Sequence, residues 1–339
     1  MRAFTLGCAL LLGCAHMPTS VVLQKPSAEP AVGFTFLSTK DPLTQKPLKG
    51  IAFYPPETVQ QGSTPVGPYL LEAREGVAIR SGQHPLVAIS HGHAGSRLGH
   101  HDLAEHLARA GYIVTAVEHA GDCWNDQSAF GSDRAMLGRA YQVSATIDAV
   151  LADAKLGPHV DAGRIGVAGF SAGGYTALVV LGAQPDFSLL QGYCLRHPED
   201  REICGLEKVT ITLVSPKPML DSRVKAGFVM APLGIFFGPG AFEAVRAPVF
   251  LAVAQKDAVL LPDENADRVR TGLKTLAGSR VIPGAGHYVF LAPCTAELAR
   301  DAAVLCEDPL GVDRVAVHAE LQREAKDFFD NALGAWWAP

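Results

Sequence analysis

A serine with a glycine two residues away on either side is the residue in this chain best suited to chemistry. Ser171 lies in the pentapeptide GFSAG, residues 169–173. The run 164–168 predicts a buried strand before it, and the run 174–181 predicts a packed helix after it. Such a turn needs small neighbours, projects the hydroxyl above the sheet and places a helix N-terminus beneath developing negative charge. The pattern predicts a nucleophilic serine, and a glycine-rich turn without chemistry is the alternative.

A serine hydroxyl is a weak nucleophile, so a neighbouring base must take its proton. On sheets that present a serine in this way, an acid and then a histidine follow it along the chain. The histidines after Ser171 are His197, His287 and His318. His197 lies in a polar stretch between two cysteines and His318 within a predicted helix. His287 follows a predicted strand in a glycine-rich loop, so the sequence predicts His287 as the base.

A carboxylate must orient the base and stabilise it once it is protonated. Asp257 follows the predicted strand 249–253 and is the predicted acid. Asp263 and Glu264 are the competing candidates. They come directly after Pro262, where an acidic residue is often a helix cap. The sequence therefore favours Asp257 and leaves the other two as alternatives.

Backbone N–H groups must hold the oxyanion that forms when the serine attacks a carbonyl. The loop 90–96 (SHGHAGS) follows another predicted strand, and its glycines let the backbone approach a ligand. The predicted donors are the N–H groups of Ala172 and His93. Three side chains near these loops could line a pocket or could equally support the structure: His91, His119 and Trp124.

Several histidines crowd the region 91–106 and raise the question of a metal site: His91, His93, His100, His101 and His106. The His-Glu-x-x-His pattern of many zinc enzymes is not present, and the glycine-rich loop already has another explanation. The sequence therefore predicts neither a metal nor a cofactor.

Composition sets the protein class. The chain has 339 residues, of which 48% are hydrophobic and 19% charged, so it can bury a large core. Its formal net charge of −5 at pH 7 argues against nucleic acid as the main partner, because that partner favours a basic face. No apolar run reaches the 18 residues that an ordinary membrane-spanning helix needs.

The N-terminus has the features of an export signal. Met1–Arg2 supply positive charge, and the apolar run 9–13 is too short to span a bilayer. The segment ending at Cys14 resembles the bacterial lipoprotein signal, in which this cysteine is lipidated. We expect residues 1–14 to be a signal peptide and the protein to be anchored on the periplasmic or cell-surface side of a bacterial membrane. An ordinary secretory signal is the alternative, and 15–33 is expected to be a linker.

Export permits disulfides. The cysteine spacing suggests two local loops, Cys194–Cys204 and Cys294–Cys306, with Cys123 left over, although spacing alone does not fix the connectivity.

Strands alternating with helices over 34–339 predict one α/β domain with a mostly parallel central sheet and helices on both faces. The alternation lapses over about 184–222, where the chain is polar, proline-containing and carries two cysteines. We interpret this stretch as a small inserted lid. A long loop without structure is the alternative, although such loops are uncommon in compact domains.

Several motifs in this order resemble α/β-hydrolases of the bacterial predicted dienelactone hydrolase group, which are similar to platelet-activating-factor acetylhydrolases. The resemblance covers roughly residues 34–330. It is carried by SHGHAGS (90–96), AVEH (116–119), GVAGFSAGG (166–174), DSRVKA (221–226) and AGHYVFLAPC (285–294). The resemblance implies an α/β-hydrolase fold and a hydrolase.

True dienelactone hydrolases use a cysteine where this chain has Ser171. We therefore expect an exported serine hydrolase of small or short-acyl carboxylic esters, phospholipid-like ones included, with no cofactor. An amidase or peptidase with the same three residues is one alternative. A non-catalytic surface protein on the same scaffold is another.

Overall fold

The structure is a computed structural model that describes residues 19–24, 29–204 and 219–334. The predicted signal peptide, with Cys14, lies outside the described residues. So does the interval 205–218, which falls within the expected lid.

Most strands of the described chain alternate with helices in sequence. In chain order the strands are β1 (Thr19–Val21), β2 (Val32–Lys40), β3 (Pro47–Tyr54), β4 (Thr64–Val66), β5 (Tyr69–Leu71), β6 (Ala73–Glu75), β7 (His84–Ser90), β8 (Ile113–Val117), β9 (Val160–Phe170), β10 (Val224–Met230), β11 (Val249–Ala254), β12 (Leu276–Ile282) and β13 (Glu307–Pro309).

The helices connect these strands and close the chain. They are α1 (His101–Arg109), α2 (Asp133–Met136), α3 (Gly138–Ala152), α4 (Ala172–Val180), α5 (Leu189–Arg196), α6 (Arg201–Cys204), α7 (Ala266–Gly272), α8 (Ala296–Asp301), α9 (Ala303–Cys306) and α10 (Arg314–Ala332). Short 3₁₀ turns cover Gly157–His159 and His287–Phe290.

One large sheet of the described residues has the strand order β12-β11-β10-β9-β7-β8-β3-β2-β6. The strands from β12 to β8 in this order are parallel. β3 is antiparallel to both β8 and β2. All residues of β7 and β8 are buried, as expected where helices cover both faces of parallel strands. The predicted mostly parallel sheet is confirmed.

The helices lie in two layers, one on each face of the sheet. Val143 and Ile147 of α3 belong to the core on one face, together with α4. Leu321, Phe328 and Phe329 of α10 belong to the core on the other face, together with α1. The carboxyl ends of β9, β11 and β12 share one edge of the sheet, where the predicted chemistry-bearing residues follow.

The expected linker over 15–33 needs a correction in its described part. Thr19–Val21 forms β1, which pairs antiparallel with β13, and β2 already begins at Val32. Proline and serine in this interval suggested a linker. The threonine and valine residues between them instead favour a paired strand.

Both predicted disulfides, Cys194–Cys204 and Cys294–Cys306, are confirmed, and Cys123 is free and buried. The described part of the expected lid contains α5 and α6, which the first disulfide joins. That this segment covers the site stays a prediction. In the described parts of the chain, no helix has both the length and the apolar character needed to cross a bilayer.

Candidate active site

Ser171 occupies a strained turn between β9 and α4. Its backbone has φ of 57° and ψ of −121°, a region that residues with a side chain rarely adopt. Two backbone hydrogen bonds hold the turn. The Ser171 N–H donates to the Met230 carbonyl at 2.9 Å, and the Ser171 carbonyl accepts from the Leu233 N–H at 3.0 Å. The end of β10 and the loop after it therefore fix the backbone orientation of the serine.

The two glycines flanking Ser171 are required by close backbone contacts. A Cβ on Gly169 would lie 2.1 Å from the Gly173 carbonyl oxygen. A Cβ on Gly173 would lie 1.9 Å from the carbonyl oxygen of Ser90, at the end of β7. Both distances are far below van der Waals contact. The turn therefore has the crowding that the GFSAG pattern predicts.

The structure brings Ser171, His287 and Asp257 into one hydrogen-bonded chain. His287 Nε2 lies 3.0 Å from Ser171 Oγ, and His287 Nδ1 lies 2.6 Å from Asp257 Oδ2. All three residues are buried. A neutral imidazole protonated on Nδ1 donates to the carboxylate and leaves Nε2 to accept from the serine hydroxyl. This is the arrangement that activates a serine nucleophile.

The loop after β11 holds Asp257 in place. Its second oxygen, Oδ1, accepts from the N–H groups of Val259 at 2.9 Å and Leu260 at 2.7 Å. Asp257 is therefore satisfied on both oxygens, which fixes the carboxylate plane and, through it, the imidazole ring.

The competing acids have other partners. Asp263 is exposed and accepts from the neighbouring Glu264 N–H. Glu264 binds Arg196 and His197 at the end of α5, and also Arg268. The hydrogen bond from Arg196 and the contacts with the other two lower the pKa of Glu264 to about 2. Glu264 thus ties α5 to the segment before α7.

The other two histidines after Ser171 lie elsewhere. His197 is bound to Glu264, and His318 on α10 contacts Asp102 on α1. The Nε2 atom of His318 lies 2.8 Å from the carbonyl oxygen of Val289, so this ring supports the turn that begins at His287.

The glycine-rich loop after β7 lies beside the serine. A Cβ on Gly92 would be 3.3 Å from Ser171 Cβ. Ala172 is the first residue of α4, so its N–H has no acceptor within the helix. The loop and the helix N-terminus thus flank Ser171. The role of the Ala172 and His93 N–H groups as oxyanion donors stays a prediction.

A buried arginine joins this loop to the serine helix. Arg139 on α3 donates from Nε to Thr176 Oγ1 at 3.1 Å and from Nη1 to Asp122 Oδ2 at 2.6 Å. Its Nη2 donates to the His91 carbonyl. Asp122 in turn contacts the His93 ring through Oδ1. Burial alone would raise the pKa of Asp122, but the Arg139 charge and the His93 contact bring this pKa below its ordinary value.

Sequence reasoning missed Arg139 and Asp122. The available signal was a charged residue within the helical run 137–154, whose other positions are largely apolar. A cation on the buried side of a helix requires a buried partner.

His91 and His119 support the loop from behind. The His119 N–H donates to His91 Nε2 at 3.1 Å, and the His119 ring bridges Ser90 Oγ and Gln142 Oε1, both at 2.8 Å. Burial, with Arg139 nearby, lowers the pKa of His91 to about 3 and that of His119 well below its ordinary value. Both rings are therefore neutral and packed. Their place in a substrate pocket stays a prediction.

Trp124 is 62% exposed, and its backbone N–H donates to the Gly95 carbonyl at 2.9 Å. The indole is thus available at the surface next to the glycine-rich loop. In the described ranges, no group of three or more side chains is arranged to hold a metal ion.

Two family models match parts of the chain. Residues 102–188 match the family model of the prolyl oligopeptidase family, and residues 60–134 match that of platelet-activating factor acetylhydrolase, isoform II. Each match covers less than half of the chain. No curated protein matches the sequence significantly.

Among solved structures, the fold is similar to that of a ferulic acid esterase from Streptomyces cinnamoneus. The TM-score is 0.60 at 21% sequence identity, and the match covers 91% of this chain and 92% of the other. The chain therefore has the α/β-hydrolase fold, as the sequence motifs predicted. It resembles the group that contains dienelactone hydrolases and platelet-activating-factor acetylhydrolases.

The contacts of Arg139 generate a prediction. In Arg139→Lys the charge beside Asp122 is kept, but one ammonium cannot reach three separated acceptors. The loop is then less firmly held relative to Ser171. Because losing one oxyanion donor costs roughly 10²–10³ in kcat, we expect partial displacement to lower kcat at least about tenfold. Steady-state hydrolysis of p-nitrophenyl acetate measures this.

Arg134→Lys is the matched control, since Arg134 is exposed on the neighbouring helix α2. Thermal unfolding followed by circular dichroism shows whether both variants fold. A folded Arg139→Lys variant with wild-type kcat contradicts the positioning role.

Proposed function

We propose that this protein is an exported, lipid-anchored serine hydrolase that cleaves small or short-acyl carboxylic esters. The observation that carries the proposal is the hydrogen-bonded chain from Ser171 Oγ through His287 to Asp257 at the carboxyl edge of the sheet. Export rests on the N-terminal sequence pattern, and two disulfides are compatible with it.

Acylation follows from the positions of the three residues. Ser171 Oγ forms a bond to the ester carbonyl carbon while its proton passes to His287 Nε2. The carbonyl π electrons move onto oxygen, where the N–H groups of Ala172 and His93 are the proposed donors. Asp257 stabilises the imidazolium without taking its proton. Collapse of the tetrahedral species expels the alcohol, which receives the proton from His287 and leaves an acyl-Ser171 ester.

Deacylation repeats these steps with water as the nucleophile. His287 removes a proton from water, the hydroxide adds to the acyl carbon, and Ser171 leaves with the proton returned by His287. The side chains already present account for every proton transfer, so the proposal needs no cofactor.

The comparisons bear on two substrate classes, esters and amides, and they favour esters. The acetylhydrolase model covers the glycine-rich loop, and the similar solved structure is an esterase. The prolyl oligopeptidase model covers Ser171 and its helix, which favours an amidase or peptidase as the second candidate. Esters are the leading class because an ester carbonyl is less resonance-stabilised than an amide carbonyl, and because an alkoxide departs more readily than an amide anion.

Matched substrates separate the two classes. We expect kcat/KM for a short-chain p-nitrophenyl ester to exceed that for the p-nitroanilide with the same acyl group by orders of magnitude. Initial rates followed at the absorbance of the released chromophore measure both. Equal or greater efficiency on the anilide assigns the chain to the amidases, and graded acyl lengths define the acyl preference.

Removal of the nucleophile tests the proposal directly. Ser171→Ala deletes only the hydroxyl, so we expect kcat to fall roughly 10⁴–10⁶-fold with the fold intact, as in triad knock-outs elsewhere. Ser63→Ala, at an exposed serine, is the matched control. Labelling with a fluorophosphonate should be lost in the first variant and kept in the second. Unlabelled wild-type protein would favour the non-catalytic alternative.

The acid is tested by a pair of isosteric changes. Asp257→Asn keeps the shape of the side chain but favours the wrong imidazole tautomer, so kcat should fall by about 10⁴. Asp263→Asn changes an exposed residue and should leave kcat within a factor of about two, since surface substitutions away from special contacts have small effects. Stopped-flow or steady-state ester hydrolysis distinguishes the pair, and the reverse ranking assigns the acid to Asp263.

A further inference from the structure

Five exposed aliphatic side chains lie on, or one or two residues beyond, the linked elements β1, β13, α9 and the start of α10. We name this surface the tether face. Its members and their exposed fractions are Val21 (42%), Leu23 (42%), Val304 (65%), Leu310 (61%) and Val315 (40%).

Several contacts make the tether face rigid. Val21 lies opposite Glu307 in the antiparallel pair of β1 and β13. Leu23 forms a parallel bridge with Cys294, whose disulfide closes the segment that carries Val304. These links fix the N-terminal residues of the described chain to a segment near its end.

A buried ion pair connects β13 to α10. Asp308 accepts from Arg314 Nε at 2.8 Å and from Nη2 at 3.0 Å, and both side chains are about 1% exposed. Leu310 lies in the loop that joins β13 to α10, and Val315 directly follows Arg314. The apolar side chains are therefore held out into solvent by rigid structure and cannot withdraw into the core.

The tether face borders the catalytic loop. A Cβ on Gly286 would lie 3.9 Å from Pro309 Cδ, in β13, and His287 is the next residue. What lies against the tether face therefore also lies close to the loop that carries His287.

The short interval between Cys14 and β1 limits how far the tether face can lie from a membrane that holds a lipid on Cys14. Four residues separate Cys14 from Thr19, the first residue of β1. At about 3.3–3.6 Å per residue, even a fully extended chain over this interval spans less than about 18 Å. A lipid attached at Cys14 would place that residue in the headgroup layer, which is about 5–8 Å thick. β1 would then lie within about 18 Å of that layer.

We propose that the tether face rests on the surface of the lipid bilayer and holds the catalytic loop at the interface, so that esters dissolved in or released from that bilayer are the substrates. The proposal rests on the proposed function and on lipidation of Cys14. Exposed carboxylates outnumber exposed cations around the face: Glu297, Asp301, Glu307 and Asp313, against Arg300. Contact therefore comes from apolar side chains at a zwitterionic surface.

An environment-sensitive dye tests the orientation. The full chain, exported and lipidated, carries a nitrobenzoxadiazole label on Val304→Cys and is reconstituted into phosphatidylcholine vesicles. Ala162→Cys is the matched control, because Ala162 is exposed at the start of β9, the end opposite to Ser171. Buried Cys123 is present in both, and the parent chain gives its background.

We expect the dye at 304 to brighten several-fold on reconstitution and the dye at 162 to remain unchanged. A Cys14→Ser version of the first variant should stay dim. Equal responses at 304 and 162 in a lipidated, vesicle-bound chain overturn the orientation and leave anchoring intact. Brightening without vesicles, with a dimer in gel filtration, assigns the face to a second copy and also overturns it.

The N-terminal peptide mass reports lipidation, and a chain without lipid overturns the proposal together with the anchoring. Fluorophosphonate labelling of the same samples reports the hydrolase site separately. A chain that brightens at 304 but is not labelled contradicts the proposed function and not the orientation.

Discussion

The left-handed backbone at Ser171 is the constraint on which the site depends. A residue with a side chain at φ of 57° is unfavourable, and it persists only where its surroundings determine it. Here the backbone of the loop after β10 holds it on one side, and the Ser90 carbonyl at the end of β7 leaves space only for hydrogen at position 173. Three neighbouring strands thus cooperate to expose one hydroxyl.

On the other side of Ser171, the buried charge of Arg139 also fixes the position of the surrounding backbone. Arg139 ends within hydrogen-bonding reach of the glycine-rich loop, the serine helix and Asp122. Removing the Asp122 carboxylate would leave the buried guanidinium without its ion-pair partner, which typically costs about 3–5 kcal/mol. These contacts therefore hold the glycine-rich loop after β7 in one position relative to α4. In return, Arg139 and Asp122 tolerate substitution poorly.

Local patterns predicted much of the fold and most of the central residues. The sequence predicted the strand–turn–helix around Ser171 and the positions of Asp257 and His287 after their strands. Each of these features depends on residues that are close by in the sequence. Arg139 and Asp122 were not predicted, because their importance lies in contacts between α3 and two loops distant in sequence. The pairing of β1 with β13 was not predicted for the same reason. A three-residue strand carries too weak a pattern to identify a partner so far along the chain.

That pairing has a consequence for the order of assembly. Thr19 and Glu307, whose side chains hydrogen-bond, are separated by 288 positions. A chain synthesised N-terminus first presents β1 long before its partner strand exists. The ribbon, and the support it gives to the residues around His287, can form only when nearly the whole chain is present. A contact between residues this far apart in sequence is expected to form late in folding.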